Sequence, residues 1–302
     1  MAKKRKGNPV NGWVILDKPV DMGSTAAVSI VKRVFNAQKA GHAGTLDPAA
    51  SGVLPIALGE ATKTIPYVMD GEKVYAFTVR FGQETTTDDA QGEVIAQTQH
   101  LPDEKDLLEA IGSFIGETDQ VPPKYSAVHI NGRRAYDLAR ENKDVVLQPR
   151  RIRIDELEML HFSKDGIADF RIRCSKGTYV RSVARDLARK TGSLGHVIAL
   201  RRLKCAKFLA QNAFSLEYLR SLEHSSNWTD VLLPVETVLD DIPALAVTQA
   251  QALKLMNGNF LPVSEFGSVP QTDVFQAKTQ NRLIALVRVQ DGMIRPVRLI
   301  IQ

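Results

Sequence analysis

The stretch DFRIRCSKGTYVRSVARDLARKTG, residues 169–192, changes its hydrophobic period halfway along. Before Gly177 every second residue is apolar, which predicts a strand with one buried face: Phe170, Ile172 and Cys174. After Gly177 the apolar residues recur at helical spacing: Val180, Val183, Ala184 and Leu187. A strand that continues directly into an amphipathic helix is typical of a fold in which strands and helices build one core.

The rest of the chain mixes strands and helices without a regular β-α-β order. Residues Trp13 to Leu16 form a short apolar run, and Ser24 is placed to cap an amphipathic helix. Residues 73–81, KVYAFTVRF, alternate between two faces as a strand does. These patterns predict the α+β class, with a core of mostly antiparallel, mixed sheet flanked by helices.

Three regions follow one another along the chain. We expect residues 1–11 to be a basic flexible tail, residues 12–237 to form the main domain, and residues 238–302 to form a small β-barrel. In the small unit Thr248 is placed to cap a helix that ends at Gly258. The pair Asp291-Gly292 predicts a hairpin turn between its last two strands.

The composition excludes several classes of protein. The chain has 302 residues, 44% hydrophobic and 24% charged, which is ordinary for a soluble globular protein. It has no apolar run of membrane-spanning length and no apolar segment behind its basic N-terminus, so we expect a cytoplasmic location. Two cysteines without CxxC spacing, six scattered histidines and no Gly-rich phosphate loop predict that the protein works without a metal or a cofactor.

Basic residues are concentrated between Lys176 and Lys207. This segment contains nine Lys or Arg residues and one acidic residue, Asp186, a formal net charge of +8, whereas the whole chain carries +5. So uneven a distribution favours a binding site for a polyanion over a solvated face. The candidates for contact with an RNA backbone are Lys176, Arg185, Arg201, Arg202 and Lys204.

The segment GHAGTLDPAASG, residues 41–52, contains a single acidic residue, Asp47. Asp is a strong helix N-cap and Pro48 suits the first helical position, so the start of a helix alone explains the pair. The other interpretation is that Asp47 is a reactive carboxylate. This segment alone does not decide between the two.

Arg181 favours the reactive carboxylate. It lies near the start of the predicted helix, where the helix dipole disfavours a cation, and Arg185 follows one turn later on the same face. Two arginines at this position require an anion opposite them, either a phosphate or a buried carboxylate. A lone working carboxylate in turn requires a cation that keeps it ionised when it is buried. We therefore predict that Asp47 and Arg181 pair.

Four more residues are candidates for the lining of a site, although packing alone explains each of them. Tyr75 opens an apolar strand face, Tyr179 lies at the start of the predicted helix, and Leu200 precedes a pair of arginines. His42 has no second ligand at metal spacing, so it is either a core histidine or an aromatic surface for a base.

Several segments together resemble one family, the bacterial tRNA pseudouridine-55 synthases of the TruB type. The resemblance is most specific in KAGHAGTLDPAASGVLPIALGEATK, residues 39–63. It extends to LDKP (16–19), KVYAFTVRFGQETTTDDAQG (73–92), PPKYSAVHINGRRAYDLAR (122–140), CSKGTYVRSVARDLA (174–188) and LRRL (200–203). Residues 238–302 look like the PUA-type RNA-binding domain that often follows this core.

The resemblance implies a role for each candidate. Asp47 would attack the target uridine and Arg181 would hold Asp47 in place. Tyr75 would pack against the flipped uracil, and Tyr179 and Leu200 would line the base pocket. His42 would occupy the space vacated in the RNA loop. The substrate would be the T-arm of tRNA, bound by a monomer without an obligatory protein partner.

The sequence departs from the usual pattern of the family in two places. Asp21 and Gly23 stand where the family more often has glycine and threonine or serine. His129 stands where lysine is common.

The implied reaction breaks the N1–C1′ bond of uridine and joins C5 to C1′, and the aspartate could attack either C1′ or C6. Two alternatives stay open. A guide-RNA-dependent pseudouridine synthase would need protein partners, and a non-catalytic tRNA-binding or tRNA-folding protein would need no aspartate at position 47. A glycosidase is disfavoured because such enzymes generally use two carboxylates.

Overall fold

The computed structural model describes residues 7–126, 128–130, 132–141, 146–223 and 228–301. The helices within these residues are α1 (Ser24–Val34), α2 (Ile65–Asp70), α3 (Glu104–Gly112), α4 (Ala135–Arg140), α5 (Val180–Lys190), α6 (Leu216–Ser221) and α7 (Gln249–Met256). None of these helices has the length and apolar character needed to cross a bilayer.

The strands form two main sheets and two short hairpins. Those of the first half are β1 (Gly12–Lys18), β2 (Ala40–His42), β3 (Ala50–Leu58), β4 (Lys73–Phe81), β5 (Gln83–Thr85), β6 (Val94–Gln97), β7 (Gly116–Gln120), β8 (His129–Ile130) and β9 (Arg133–Arg134). Those of the second half are β10 (Arg150–Ser163), β11 (Ile167–Cys174), β12 (Gly195–Cys205), β13 (Phe208–Leu209), β14 (Phe214–Ser215), β15 (Ala244–Ala246), β16 (Leu261–Pro262), β17 (Phe275–Thr279), β18 (Arg282–Gln290) and β19 (Met293–Leu299).

The larger sheet has ten strands, in the order β14-β1-β3-β12-β4-β11-β10-β7, with β2 paired to β3 and β13 paired to β12. Two of its pairings are parallel, β1 with β14 and β3 with β12, and the others are antiparallel. The predicted α+β class with a mostly antiparallel, mixed sheet is confirmed.

The change of period in residues 169–192 corresponds to β11 followed by α5. Gly177 lies in the turn between them with φ +84°, a backbone conformation that glycine adopts without a steric penalty. The apolar faces of the two elements meet in one core cluster, in which Phe170, Ile172, Val183 and Leu187 are fully buried. The turn therefore sets the start of α5 at one edge of this core.

The start of α1 differs from the prediction. The N-cap is Gly23, and Ser24 is the first helical residue, so the prediction that Ser24 caps the helix is wrong. The Ser24 hydroxyl is instead buried and bonded to the backbone of Leu46. Asp21, where the family more often has glycine, has φ +60°, a left-handed conformation that explains why glycine suits this position.

The C-terminal residues form a second, five-stranded sheet in the order β15-β17-β18-β19-β16, curled into a half-barrel with open edges rather than a closed barrel. The predicted cap of α7 is confirmed, since Thr248 and Gln251 form a capping box. Asp291 and Gly292 both have positive φ and connect β18 to β19, as the hairpin prediction requires. The PUA-type nature of this unit stays a prediction.

The half-barrel shares a hydrophobic cluster with the larger sheet. Leu283, Leu286 and Ile300 pack in one cluster with Trp13 and Phe208 of the main body. The half-barrel also has its own cluster, which includes Ala285 and Val287 of the same strand, β18. The apolar side chains of β18 are therefore divided between the two clusters. The domain boundary at 237/238 stays a prediction, and any such boundary cuts through a buried apolar contact.

We expect Leu286→Ala to lower the free energy of unfolding by about 2–5 kcal/mol, because it removes a fully buried side chain between the two units. Urea denaturation followed by tryptophan fluorescence measures this loss. The control is Val289→Ala on the same strand, where the side chain is 40% exposed and the change should stay within about 0.5 kcal/mol. If Leu286→Ala lowered the free energy of unfolding no more than Val289→Ala does, the contact between the units would contribute nothing to stability.

Candidate active site

Asp47 lies in the loop between β2 and β3. Its carbonyl accepts a hydrogen bond from the Ala50 N–H at 3.1 Å, which closes a turn that leads directly into β3. No helix begins at Asp47, so its side chain is not an N-cap and that interpretation is wrong. The Asp47 carboxylate can therefore contact other groups.

Four hydrogen bonds from three residues position this loop. The Ser24 hydroxyl lies 2.8 Å from both the N–H and the carbonyl oxygen of Leu46, accepting from the first and donating to the second. On the other side of Asp47, the Pro48 carbonyl accepts from the Asp21 N–H at 2.8 Å and from Lys18 Nζ at 3.5 Å. The backbone on both sides of Asp47 is thus bonded to the β1–α1 segment.

The structure brings Asp47 and Arg181 together. Arg181 Nη2 lies 2.8 Å from Asp47 Oδ2; the arginine side chain is 5% exposed and the carboxylate 38% exposed. Arg181 enters from the first turn of α5, where the dipole disfavours a cation, and Asp47 supplies the anion that offsets this cost. The pair has a buried cation and an accessible carboxylate, which is the arrangement a reactive carboxylate requires.

Two further loops hold the Arg181 guanidinium. Nη1 donates to the Thr87 carbonyl at 2.7 Å and Nη2 donates to the Tyr125 carbonyl at 2.9 Å. Asp89 Oδ2 lies 3.5 Å from Nη1, and the Asp89 side chain is itself buried. Asp89 in turn accepts from the Thr87 hydroxyl at 2.5 Å and from the Gln91 N–H at 3.0 Å. Contacts to both terminal nitrogens, Nη1 and Nη2, therefore fix the plane of the guanidinium.

The predicted lining residues meet beside this pair. A cavity of about 270 Å³ is bounded by Asp47, Arg181, Tyr75, Tyr179 and Leu200. Tyr75 comes from β4 and Leu200 from the neighbouring strand β12, so these two side chains form the sheet side of the cavity. A cavity of this kind suits a single nucleotide that has left its stack.

His42 lies in a second cleft, on the other side of the aspartate loop. This cleft has a volume of about 620 Å³, and Thr45, Leu46, Asp47 and Arg181 line both spaces. Burial, with a smaller effect of the Arg202 charge, lowers the pKa of His42 below its usual value. The ring is thus neutral at pH 7, which suits an apolar aromatic surface better than a cation.

The hydroxyl of Tyr75 is protonated throughout the physiological range. Burial raises the pKa of Tyr75 to about 12, and the charge of neighbouring Arg202 only partly opposes this shift. Tyr75 and Arg202 are opposite each other on β4 and β12. Tyr75 therefore offers the cavity a flat ring and a neutral hydroxyl.

Two residues proposed as RNA-backbone contacts are buried. Arg202 is 1% exposed and donates to the Val53 carbonyl at 2.7 Å and the Gly44 carbonyl at 3.0 Å. Arg185 is 8% exposed, and its guanidinium bonds to Asp88, Asp186 and the Val121 carbonyl. Both guanidiniums bond to groups inside the protein, which argues against contact with RNA phosphates, and that assignment stays a prediction.

The other three candidates lie nearer the surface but have carboxylate partners. Lys176 pairs with Asp70 at 2.7 Å, Lys204 with Glu72 at 2.9 Å, and Arg201 with both oxygens of Asp17 at 2.8 and 2.9 Å. Their acidic partners come from outside the segment 176–207. These carboxylates therefore neutralise part of the formal charge of +8 that residues 176–207 carry.

Several residues that hold the site were missed by the sequence reasoning. Ser24 was predicted to cap a helix, and Thr87 and Asp89 were not among the candidate site residues. The one available signal was the acidic pair Asp88-Asp89, whose carboxylates face two arginines one helical turn apart. In the described part of the chain, no group of three or more His, Cys, Asp and Glu side chains is arranged to hold a metal ion.

Comparison with known proteins finds relatives along the whole chain. Residues 32–180 match the family described as TruB family pseudouridylate synthase (N terminal domain), and residues 181–240 match the tRNA pseudouridylate synthase B C-terminal domain. The tRNA pseudouridine synthase B of Caulobacter sp. (strain K31) is 46% identical over 305 residues, covering 99% of this chain and 98% of the relative. That of Rhodospirillum rubrum is 45% identical over 306 residues, covering 99% of each chain.

A solved structure shares the fold at lower identity. A chain in the crystal structure of a Cbf5-Nop10-Gar1 complex superposes with a TM-score of 0.72 at 22% identity, covering 96% of this chain and 85% of that one. The fold is that of a pseudouridine synthase. Within that class, the identity along the whole length shows that the chain belongs to the TruB family of pseudouridylate synthases.

We expect Arg181→Lys to lower the rate of pseudouridine formation at saturating RNA by about 100-fold, because one ammonium cannot replace a planar guanidinium that reaches three loops. RNA affinity should stay within about threefold, since phosphate contacts dominate binding.

Arg181→Met should also lower the free energy of unfolding by about 3–5 kcal/mol, because it leaves Asp89 buried without a cation. Single-turnover rates, filter binding and urea denaturation separate these effects; a normal rate for Arg181→Lys would show that the guanidinium plane is unimportant.

For Arg202→Ala we expect a loss of about 2–5 kcal/mol in the free energy of unfolding, since two buried carbonyls lose their donor. Lys204→Ala, on the same strand, removes a partly exposed pair and should cost less than about 1 kcal/mol. Denaturant melts of the two variants make the comparison. If Arg202→Ala were as stable as wild type and only its RNA binding were weakened, Arg202 would belong to the RNA interface.

Proposed function

We propose that the protein converts uridine 55 in the T-arm of tRNA to pseudouridine, with Asp47 as the nucleophile. The observation that carries the proposal is the Asp47–Arg181 pair, whose carboxylate opens onto the cavity while its cation is buried. The relatives that match along the whole chain support tRNA as the substrate. The reaction is an isomerisation, and no atoms are gained or lost between uridine and its product.

The target uridine must leave the RNA stack to reach Asp47. In the cavity its uracil would pack between Tyr75 and Leu200, with Tyr179 on the side of α5. Arg181 Nη2 pairs with Asp47 Oδ2 at 2.8 Å. The carboxylate of Asp47 would attack C1′ or C6 of the bound nucleotide. The N1–C1′ bond breaks, C5 joins C1′, and the bond between Asp47 and the nucleotide breaks again, which restores the carboxylate. The proton balance is kept by loss of a proton from C5 and gain of one at N1.

His42 would take the place of the flipped nucleotide within the RNA loop. It lines the larger cleft, which meets the cavity at Asp47, so the RNA loop would be bound there while its target base enters the cavity. The neutral state of the ring suits stacking against bases. Recognition would depend on loop shape, 2′-hydroxyls and phosphates.

The proposal also covers the location of the protein, its oligomeric state, its partners and its contacts with RNA. The protein would act as a cytoplasmic monomer, without a protein partner and without a cofactor. Lys176, Arg201 and Lys204 would contact phosphates by exchanging a carboxylate partner for the RNA, which limits the affinity that each of them adds. The half-barrel would bind RNA outside the T-arm.

We expect purified protein to form pseudouridine at position 55 of an unmodified tRNA transcript, and Asp47→Asn to form none while binding the transcript within about tenfold of wild type. Removal of the nucleophilic oxygen abolishes the covalent step, whereas the phosphate contacts stay. Chemical mapping of pseudouridine and filter binding measure the two quantities.

The matched control is Asp165→Asn, which removes an exposed carboxylate in the turn between β10 and β11 and should leave both quantities unchanged. Turnover by Asp47→Asn at the wild-type rate would exclude the nucleophile. Product at another position of the transcript would exclude uridine 55 as the target while leaving the class of reaction intact.

A further inference from the structure

A cation outside the basic segment lies at the rim of the cavity. Arg150 is the first residue of β10 and stands directly opposite Gln120, the last residue of β7. Gln120 is buried, and its side-chain amide bonds to both backbone groups of Tyr179: Oε1 accepts from the N–H at 2.8 Å and Nε2 donates to the carbonyl at 3.1 Å. The end of the β7–β10 pair is thus joined to the residue that begins α5.

The side chain of Arg150 lies on the same side of the sheet as Tyr179. Residues directly opposite each other in an antiparallel pair present their side chains on one face, and Gln120 uses that face to reach Tyr179. Consistently, the charge of Arg150 opposes the rise in the pKa of Tyr179 that burial causes. Since Tyr179 lines the cavity, Arg150 lies at its rim on the α5 side.

The neighbouring cations are already paired. Arg151, on the other face of β10, bonds to Glu117 and lies 3.7 Å from Asp119. Arg153 pairs with Asp155, and Lys176, at the same rim, pairs with Asp70. Arg150 is exposed, and in the part of the chain that the structure describes no carboxylate lies within ion-pair distance of it.

We propose that Arg150 binds a backbone phosphate next to the target nucleotide. The inference rests on the proposed function, which places the uracil against Tyr75 and the sugar at Asp47. The phosphates of that nucleotide then remain outside the cavity, at the rim that Tyr179 and Arg150 form. A guanidinium that no carboxylate of the described residues neutralises presents a planar fork that matches two phosphate oxygens.

The test compares three variants of the full-length protein with wild type: Arg150→Ala, Arg150→Lys and, as the matched control, Arg151→Ala. The last removes an arginine from the next position of the same strand, where carboxylates already neutralise it. The measurement is filter binding of an unmodified tRNA transcript over a series of salt concentrations, together with single-turnover rates at saturating RNA.

For Arg150→Ala we expect the slope of log affinity against log salt concentration to decrease by about 0.9, the value for one lost phosphate contact. The rate at saturating RNA should stay within about twofold of wild type. Arg150→Lys should keep the wild-type slope, because an ammonium still neutralises the phosphate, and Arg151→Ala should also keep it.

Two results would overturn the inference. The first is a wild-type slope for Arg150→Ala, or equal slopes for Arg150→Ala and Arg151→Ala. The second is an unchanged affinity with a slower rate at saturating RNA, which would show that Arg150 acts through Tyr179 instead. Both are distinct from failure of the proposed function, which would appear as a wild-type protein that binds the transcript but makes no pseudouridine at position 55.

Discussion

The site depends on a buried cation that three loops must satisfy. An arginine removed from water costs several kcal/mol unless its donors and its charge are matched. Arg181 meets this requirement with the carboxylates of Asp47 and Asp89 and the carbonyls of Thr87 and Tyr125, all within 3.5 Å. Because α5 is held in the core by its apolar face, the loops are positioned against the helix. The carboxylate of Asp47 is thereby held beside a buried guanidinium.

The basic segment shows the same principle on a larger scale. Arg185 pairs with Asp88, Arg189 with Glu84, and Lys207 with Asp240 and Asp241, so acids from distant parts of the chain neutralise much of its charge. Charge that is concentrated in sequence is in this protein largely used to join elements in space. An RNA interface would then use cations without a carboxylate partner, such as Arg150, together with exposed cations that exchange their partner for a phosphate. The positions of these cations matter more than the net charge of a segment.

Local patterns predicted the parts of the structure that local physics controls. The strand–helix switch at Gly177, the capping box at Thr248 and the hairpin at Asp291-Gly292 each depend on neighbouring residues. The pairing of Asp47 with Arg181 was also predictable, because a cation at a helix N-terminus requires an anion. The sequence did not predict the partners of Ser24, Arg185 and Arg202. These partners, Leu46, Asp88 and Val53, are distant in sequence or are backbone carbonyls. Arg150 carries no sequence signal, since its importance depends on which neighbours lack a carboxylate.

The most direct test is a crystal structure of the Asp47→Asn variant bound to a T-arm stem-loop that has uridine at position 55. We expect the uracil to lie in the cavity between Tyr75 and Leu200. We also expect C1′ or C6 to lie within about 3.5 Å of the side chain at position 47. A uracil that stays stacked in the RNA loop, or a flipped nucleotide in the cleft beside His42 and away from position 47, would contradict it.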